Sequence, residues 1–161
     1  MKEIQISITE EEKVIIMIWN TKLTNTLTKM FKGLGNIIEI DLSQFDSSDI
    51  KYMNDMFNGC VNLKKIDFTN FKTSKVNYSW SMFYNCRSLT SLNLSSFRTE
   101  NNKNFGSLFC GCSSLTSLDL SNFDGSSVTH MDNMFKNCIL LTSLNLTKFK
   151  TINAERTYDI L

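Results

Sequence analysis

A period of 26 residues is the feature of this sequence that most restricts its fold. A Met-Phe pair, in which Leu replaces Met once, recurs at this spacing with no insertion or deletion. Its five copies are Met30-Phe31, Met56-Phe57, Met82-Phe83, Leu108-Phe109 and Met134-Phe135. Repeats of this length are typical of chains in which each unit stacks on its neighbours and buries a shared core. The sequence therefore predicts a stack of equal coils.

Each coil contains the pattern LxxLxLxxF. The closing aromatic residue of this pattern is Phe in all five coils: Phe45, Phe71, Phe97, Phe123 and Phe149. Because alternate residues of a strand point to opposite faces, the Leu-x-Leu centre predicts a short strand with both Leu side chains inward. The flanking apolar residues then close the coil around the core, as in leucine-rich repeats of 20 to 29 residues.

The rest of each coil predicts a short helix. Apolar residues recur there at steps of three and four: Ile50, Met53, Met56, Phe57 and Cys60. Hydroxyl side chains such as Ser47 and Thr73 stand where an N-cap is needed. Gly or Asn, which tolerate the left-handed conformation, stand where the helix should end: Gly33, Gly59, Asn85, Gly111 and Asn137. These residues also explain how a chain without Pro makes its turns.

We therefore predict an α/β solenoid, a leucine-rich-repeat-like right-handed stack of strand-loop-helix coils. Residues 30–153 form its five-coil body. Residues 1–29 form an N-terminal capping hairpin and a degenerate coil, in which Val14 and Ile16 take the places of Ile40 and Leu42 and TEEEK is the hairpin loop. Residues 154–161 are a degenerate C-terminal helix or a cut end.

Composition excludes several classes of protein. With 17 Lys and Arg against 16 Asp and Glu, the net charge is +1, so we expect no nucleic-acid partner. Twelve Phe residues and 42% hydrophobic content argue for a folded chain. We expect no transmembrane segment, because no apolar run is long enough, and the N-terminal MKEIQISITEEE carries acids where a signal peptide would be apolar.

Long segments such as CSSLTSLDLSNFDGSSVTHMDNMFKNC and MFNGCVNLKKIDFTNF resemble the BspA-like leucine-rich repeat surface proteins, whose repeats carry LTSLDLSNFDTSxVTxMxxMFxxC. The resemblance covers about residues 14 to 150. It implies an extracellular or surface-attached solenoid that binds host or matrix proteins in adhesion. The chain departs from the pattern by showing no signal peptide or anchor, so a cytoplasmic location stays open.

The sequence offers no catalytic group of residues, and we expect neither an enzyme nor a cofactor. His130 is the single His, and its equivalents in other coils are Tyr52, Tyr78 and Asn104, which predicts a surface position. Four thiols recur at one place in successive coils: Cys60, Cys86, Cys112 and Cys138. Without a CxxC pair or a His partner, we interpret these cysteines as buried structural thiols rather than as metal ligands.

Two surfaces are candidates for binding a protein. The first is the outward row of the strand face, which comprises Asp41, Asp67, Asn93, Asp119 and Asn145. The second is an aromatic set on the helical face: Tyr52, Tyr78, Trp80 and Tyr84. Trp80 could instead turn inward to fill the space left by Ser79, which replaces Met. We interpret Lys72, Arg98 and Lys150, which alternate with Asp46 and Asp124, as an ordinary mixed-charge face.

We therefore predict a non-enzymatic protein-binding or adhesion module whose repeated surface sums weak contacts. The alternative is an intracellular scaffold or self-assembling structural protein, motivated by the acidic N-terminus, the free thiols and a C-terminal edge open to a second chain. An end-to-end or edge dimer would be consistent with that alternative.

Overall fold

A computed structural model describes residues 5–8, 14–18 and 25–161 of the chain. It contains six short strands: β1 (Gln5–Ile8), β2 (Val14–Ile18), β3 (Glu39–Asp41), β4 (Lys65–Asp67), β5 (Ser117–Asp119) and β6 (Ser143–Asn145). The strands form one sheet in the order β1-β2-β3-β4 and a second sheet of β5 and β6. No helix occurs among these residues.

The coils stack at the repeat distance. Strands β3 and β4 pair in parallel with Ile40 opposite Ile66, and β5 and β6 pair in parallel with Leu118 opposite Leu144. Both offsets equal the 26-residue period. The predicted stack of repeats is thus present, and the inward residues of successive strands lie in rows.

The predicted α/β class is wrong, because the segment expected to be helical is a run of turns. The N–H of Met56 donates to the carbonyl of Met53 in its own coil (3.3 Å), whereas the N–H of Phe57 donates to Met82 in the next coil (2.9 Å). Every second N–H along this segment bonds between coils in this way. An α-helix needs these groups for its own i to i−4 bonds, so it cannot form.

The turns explain why a helix was expected. Their inward residues are spaced by three and four, and the whole apolar set from Ile50 to Cys60 is buried. The left-handed conformation predicted at Gly33, Gly59, Asn85, Gly111 and Asn137 is confirmed, with φ between 56° and 79°. It also occurs earlier in each coil, at residues such as Asp55 (φ 56°) and Ser107 (φ 55°), which a helix does not permit.

Two further helix predictions fail for the same reason. Ser47 and Thr73 cap no helix; their hydroxyl oxygens accept the N–H of Lys72 (2.6 Å) and Arg98 (2.7 Å) in the following coil. Residues 154–161 form no helix either. They continue the turn stack, with the N–H of Phe135 donating to the carbonyl of Ile160 at 2.7 Å.

Two rows of stacked Phe rings run along the core. In the first, Phe31, Phe57, Phe83, Phe109 and Phe135 lie nearly parallel with ring centroids 5.3–5.7 Å apart. In the second, Phe45, Phe71, Phe97 and Phe123 lie 5.9–6.2 Å apart. Residues of both rows are buried. Aromatic burial repeated in register supplies much of the apolar contact between coils.

At the N-terminal side, β1 pairs antiparallel with β2, the pairing that the hairpin pattern predicts. Strand β2 then pairs with β3 in a register that differs from the prediction, because Ile15 rather than Val14 lies opposite Ile40. The 26-residue period therefore shortens by one residue at this junction. The predicted TEEEK loop and Trp19 lie outside the described residues.

The five cysteines are free thiols, four of them buried and Cys138 partly buried. Each thiol of the repeated row donates to a Phe carbonyl one coil back, for example Cys60 to Phe31 (3.0 Å) and Cys86 to Phe57 (3.2 Å). Burial raises the pKa of Cys60 to about 11. Burial and these hydrogen bonds therefore support a structural role for the cysteines, although the segment that carries them is not a helix. Leu34 stands at the same place in the first coil but is 42% exposed.

Candidate functional site

The strand ladder is interrupted in the middle of the stack. The N–H of Leu42 donates to Asp67 and that of Leu120 to Asn145, each at 2.9 Å. Within the described residues, the equivalent bonds from Phe68 to Asn93 and from Leu94 to Asp119 are absent. Residues 91–93 therefore join neither sheet, which explains why the structure has two sheets rather than one.

Phe68 accounts for the gap between its own strand segment and residues 91–93. It occupies the inward place that the other coils fill with Leu42, Leu94, Leu120 and Leu146. Its ring packs edge-on against Phe97 (5.0 Å) and Phe71 (5.1 Å) of the second Phe row. A phenyl ring needs more room than the Leu side chain, so it holds its own strand segment away from the next one. The carbonyl of Phe68 accepts the hydroxyl of Ser96 (3.1 Å) and the N–H of Phe71 (2.9 Å), whereas its N–H has no backbone partner among the described residues.

A cleft of about 610 Å³ lies over this interruption, and we call it the strand-face cleft. Its polar lining residues are Lys64, Lys65, Asp67, Thr69, Asn70, Ser91, Asn93, Ser95 and Ser96. Positive and negative side chains, hydroxyls and amides thus lie beside backbone groups that have no partner in a sheet. Such a surface can donate and accept hydrogen bonds along an extended ligand.

The structure brings two residues of the predicted strand-face row together in this cleft, Asp67 and Asn93. Asp41 lies one coil before them, and Asp119 and Asn145 lie in the second sheet. All five have a local bond that sequence reasoning missed. The Oδ1 atom of each accepts the backbone N–H two residues later, at 2.8–3.1 Å. Their side chains therefore also fix the turn after each strand.

This bonding affects the acidity of the row. The hydroxyl and then the backbone N–H of Thr69 lower the pKa of Asp67, and Ser121 lowers the pKa of Asp119 in the same way. Both carboxylates are ionised at neutral pH. That this row also binds a ligand stays a prediction.

The aromatic set lies on the turn face, which is the face predicted as helical. Tyr52 and Tyr78 stack with ring centroids 5.9 Å apart, and Tyr84 is half-buried. The inward alternative for Trp80 is wrong, because Trp80 is 39% exposed. The buried Ser79 is matched instead by Asn102, whose Nδ2 donates to its hydroxyl oxygen at 2.9 Å. The hydrogen-bonded pair of Ser79 and Asn102, rather than the indole ring of Trp80, thus fills the space that Met fills in other coils.

Sequence reasoning missed a second cleft of about 610 Å³, at the corner that follows the strands in the last three coils. Charged and polar residues line this corner cleft: Ser95, Arg98, Ser121, Asn122, Asp124, Thr147, Lys148 and Lys150. The charge of Lys148 is the sequence feature that could have indicated this cleft. Its equivalents are uncharged, namely Gln44, Asn70, Ser96 and Asn122.

The single histidine, His130, lies in the turn stack. His130 is half-buried, and its Nδ1 lies 2.8 Å from the hydroxyl of Thr129. Its backbone forms β-bridges with Asn104 and Arg156 in neighbouring coils, so these three residues lie in one row. The described residues include no group of three or more His, Cys, Asp or Glu side chains placed to hold a metal ion. Nor do they include a helix with the length and apolar character of a membrane span.

Comparison with known proteins identifies a similar fold and a family. The chain is similar to the crystal structure of a leucine-rich repeat protein from T. pallidum, with a TM-score of 0.53 over 97% of this chain and 79% of that one. The two are 17% identical, so the likeness concerns the fold alone. No curated protein matches the chain. A family model matches residues 1–117 and 90–161, and the chain therefore belongs to the family described as Mycoplasma protein of unknown function, DUF285.

Proposed function

We propose that this protein is a non-enzymatic protein-binding module that binds its partner at the strand-face cleft. The observation that carries the proposal is the interruption of the strand ladder, which leaves the N–H groups of Phe68 and Leu94 without a backbone partner. A cleft of about 610 Å³ with a mixed polar lining covers the first of these gaps, at Phe68. An extended peptide segment offers the complementary donors and acceptors.

The leucine-rich-repeat-like fold supports the same assignment. Stacked repeats present one extended, curved surface, and such surfaces commonly bind proteins. Here each strand segment is followed by an Asx turn, in which the side chain accepts a backbone N–H and so favours one turn conformation. A preformed surface loses less conformational entropy when it binds.

The resemblance to BspA-like surface proteins supports a finer version of this proposal. In it, the protein is extracellular or attached to the cell surface, and its partner is a host or matrix protein that it binds in adhesion. The quoted repeat phrases support this version. Cell fractionation with an antibody to the chain tests it, and a signal confined to the cytoplasm would contradict it.

Site-specific photocrosslinking tests the binding site. A benzophenone amino acid in place of Asn93 should capture a partner, whereas the same amino acid in place of the exposed Glu155 should not. The affinity of the purified partner is then measured by calorimetry. We expect Asn93→Arg to weaken binding by about tenfold or more and Trp80→Ala to change it little. The reverse pattern would move the site to the turn face.

A specific observation favours self-association as a second candidate function. Among the residues whose burial the structure describes, six of the eight large exposed hydrophobic side chains lie between Ile139 and Leu161. Leu146 is 37% exposed, whereas its equivalent Leu120 is completely buried. Strand β6 also has one unpaired edge in the described structure. Light scattering across a concentration series tests this candidate. A strictly monomeric chain, or a dimer that Leu146→Lys leaves intact, would reject it.

A further inference from the structure

We propose that the corner cleft binds an acidic, carboxylate-bearing segment of a partner protein. This inference rests on the proposed function, because it assigns a chemical class of partner to a surface next to the strand-face cleft. Ser95 lines both clefts, so they form one continuous surface. A partner that lies along the strand face can therefore reach the corner cleft with a neighbouring segment.

Charge is the first reason for this assignment. The corner cleft holds three cations, Arg98, Lys148 and Lys150, against the single carboxylate of Asp124. Within the described residues, none of the three cations has a carboxylate within 4.0 Å, whereas Lys32 and Lys75 have one within 3.0 Å. Asp124 accepts the N–H of Ser126 (2.8 Å). The cleft thus keeps a local positive excess in a chain of net charge +1.

Preorganisation of Arg98 is the second reason. Its Nη1 donates to the carbonyls of Phe97 (2.8 Å) and Ser95 (3.2 Å), which holds one edge of the guanidinium against its own coil. The Nδ2 of Asn122 donates to the same Phe97 carbonyl (2.8 Å) from the next coil. The remaining donors of a held guanidinium match a carboxylate in a bidentate geometry and lose little entropy when they bind it.

Gly125 lets the backbone at Lys150, which lines the cleft, lie close to the coil before it. Equivalent places in earlier coils hold Ser47, Thr73 and Thr99. A Cβ atom at Gly125 would lie 2.5 Å from the carbonyl oxygen of Lys150, which is too close for any side chain. Only Gly therefore allows the backbone at Lys150 to pack against this coil.

Protein is favoured over a dense polyanion as the source of the carboxylates. Nucleic acid places one charge about every 1.7 Å along the duplex and requires an extended basic track. This cleft has three cations, and Asp124 lies among them. Its other polar lining groups include the hydroxyls of Ser121 and Thr147 and the amide of Asn122, which suit the mixed polar groups of a peptide.

The experiment uses the full chain and a fluorescent peptide of alternating Glu and Ser, with binding measured by anisotropy. The test variant is Arg98→Gln/Lys148→Gln/Lys150→Gln. The matched control is Lys51→Gln/Arg87→Gln/Lys103→Gln, which removes the same charge from exposed positions outside the cleft. We expect the test variant to lose about tenfold in affinity and the control less than about twofold, with wild-type binding weaker at higher salt. Circular dichroism checks that both variants fold.

A second variant tests geometry without a change of charge. Gly125→Thr restores the residue type of earlier coils and should weaken peptide binding by moving the backbone at Lys150, whereas Ser127→Thr, nearby in the chain, should not. Three results would overturn the proposal: no binding by the wild type, equal losses in the test and control variants, or tighter binding of a sulfated oligosaccharide of matched charge. Crosslinking at Asn93 does not use these residues. A partner captured there with no peptide binding here would leave the proposed function standing.

Discussion

Phe97 shows how much one residue contributes to the stack. Its ring lies in the second Phe row between Phe71 (6.0 Å) and Phe123 (6.2 Å), and Phe68 packs edge-on against it. We expect Phe97→Ala to lower the free energy of unfolding by about 3 to 5 kcal/mol, because it removes a buried ring and leaves a cavity. Denaturant titration measures this change.

The control is Asn93→Ala on the strand face. Asn93 is exposed, and its side-chain oxygen accepts the N–H of Ser95 in the Asx turn (3.0 Å). Loss of that bond should cost about 1 kcal/mol or less. Equal costs for the two substitutions would show that the inward and outward rows are wrongly assigned.

Asp67 gives the stack a dependence on pH. Hydrogen bonds from Thr69 lower its folded-state pKa from the ordinary value of 3.8. A lowered pKa contributes stability that is present above the unfolded-state pKa and is lost as the pH falls through the folded-state pKa. We therefore expect acid to destabilise the wild type more than Asp67→Asn, since Asn keeps the Oδ1 acceptor but does not titrate.

Denaturation midpoints measured from about pH 5 to about pH 2 test this expectation. Asn93 and Asn145 show that an amide makes the same bond in this fold. Asp67 is partly exposed, so solvent screening keeps the effect small. Identical pH profiles for the two proteins would contradict the assigned cause of the pKa shift.

Among the elements, the missing pairing between β4 and residues 91–93 depends on one side chain. Phe68→Leu restores the residue type of the other coils and should let β4 pair with residues 91–93. Hydrogen exchange at the amide of Phe68, which lacks a backbone partner, would then slow toward that of Leu42, whose N–H donates to Asp67. Unchanged exchange at position 68 would show that the ring does not cause the interruption.

The elements also show which predictions the residue pattern could support. Burial of the row from Ile50 to Cys60 follows from its spacing, and the left-handed residues follow from Gly and Asn. The turns could not be distinguished from a helix, because both bury residues at steps of three and four. What distinguishes them is the left-handed backbone at Asp55 and Ser107, and neither residue type signals that conformation as clearly as Gly.

Similar reasoning explains which parts of the site were predicted. Alternation placed Asp67 and Asn93 on one face, where the structure also has them. The corner cleft was missed because Asp46 and Asp124 give this row mixed signs, whereas the cleft combines Arg98 and Lys150 with Lys148 from another row. Phe68 was visible as a departure from Leu, but its effect on pairing depends on neighbouring rings that only the fold specifies.

In the whole molecule, each coil contacts only its neighbours, so stability should vary along the stack. The backbone amides of the first Phe row allow this variation to be measured, because each N–H donates to a carbonyl of the next coil at a similar distance. The bonds are Phe57 to Met82 (2.9 Å), Phe83 to Leu108 (3.0 Å) and Phe135 to Ile160 (2.7 Å). If bond geometry alone controlled opening, these amides would exchange at similar rates. If opening requires loss of neighbouring coils, position in the stack decides the rate.

We expect the second behaviour. The coil that pairs with Phe135 includes Leu161, which is mostly exposed. Phe83, in contrast, lies between Phe57 and Phe109, and all three of these rings are buried. Native-state hydrogen exchange should therefore show strong protection at Phe57 and Phe83 and weaker protection at Phe135, since terminal units open without global unfolding. Phe97→Ala should reduce protection at Phe83 more than at Phe31. Uniform protection along the row would mean that the stack unfolds as one cooperative unit and that its coils are not energetically separable.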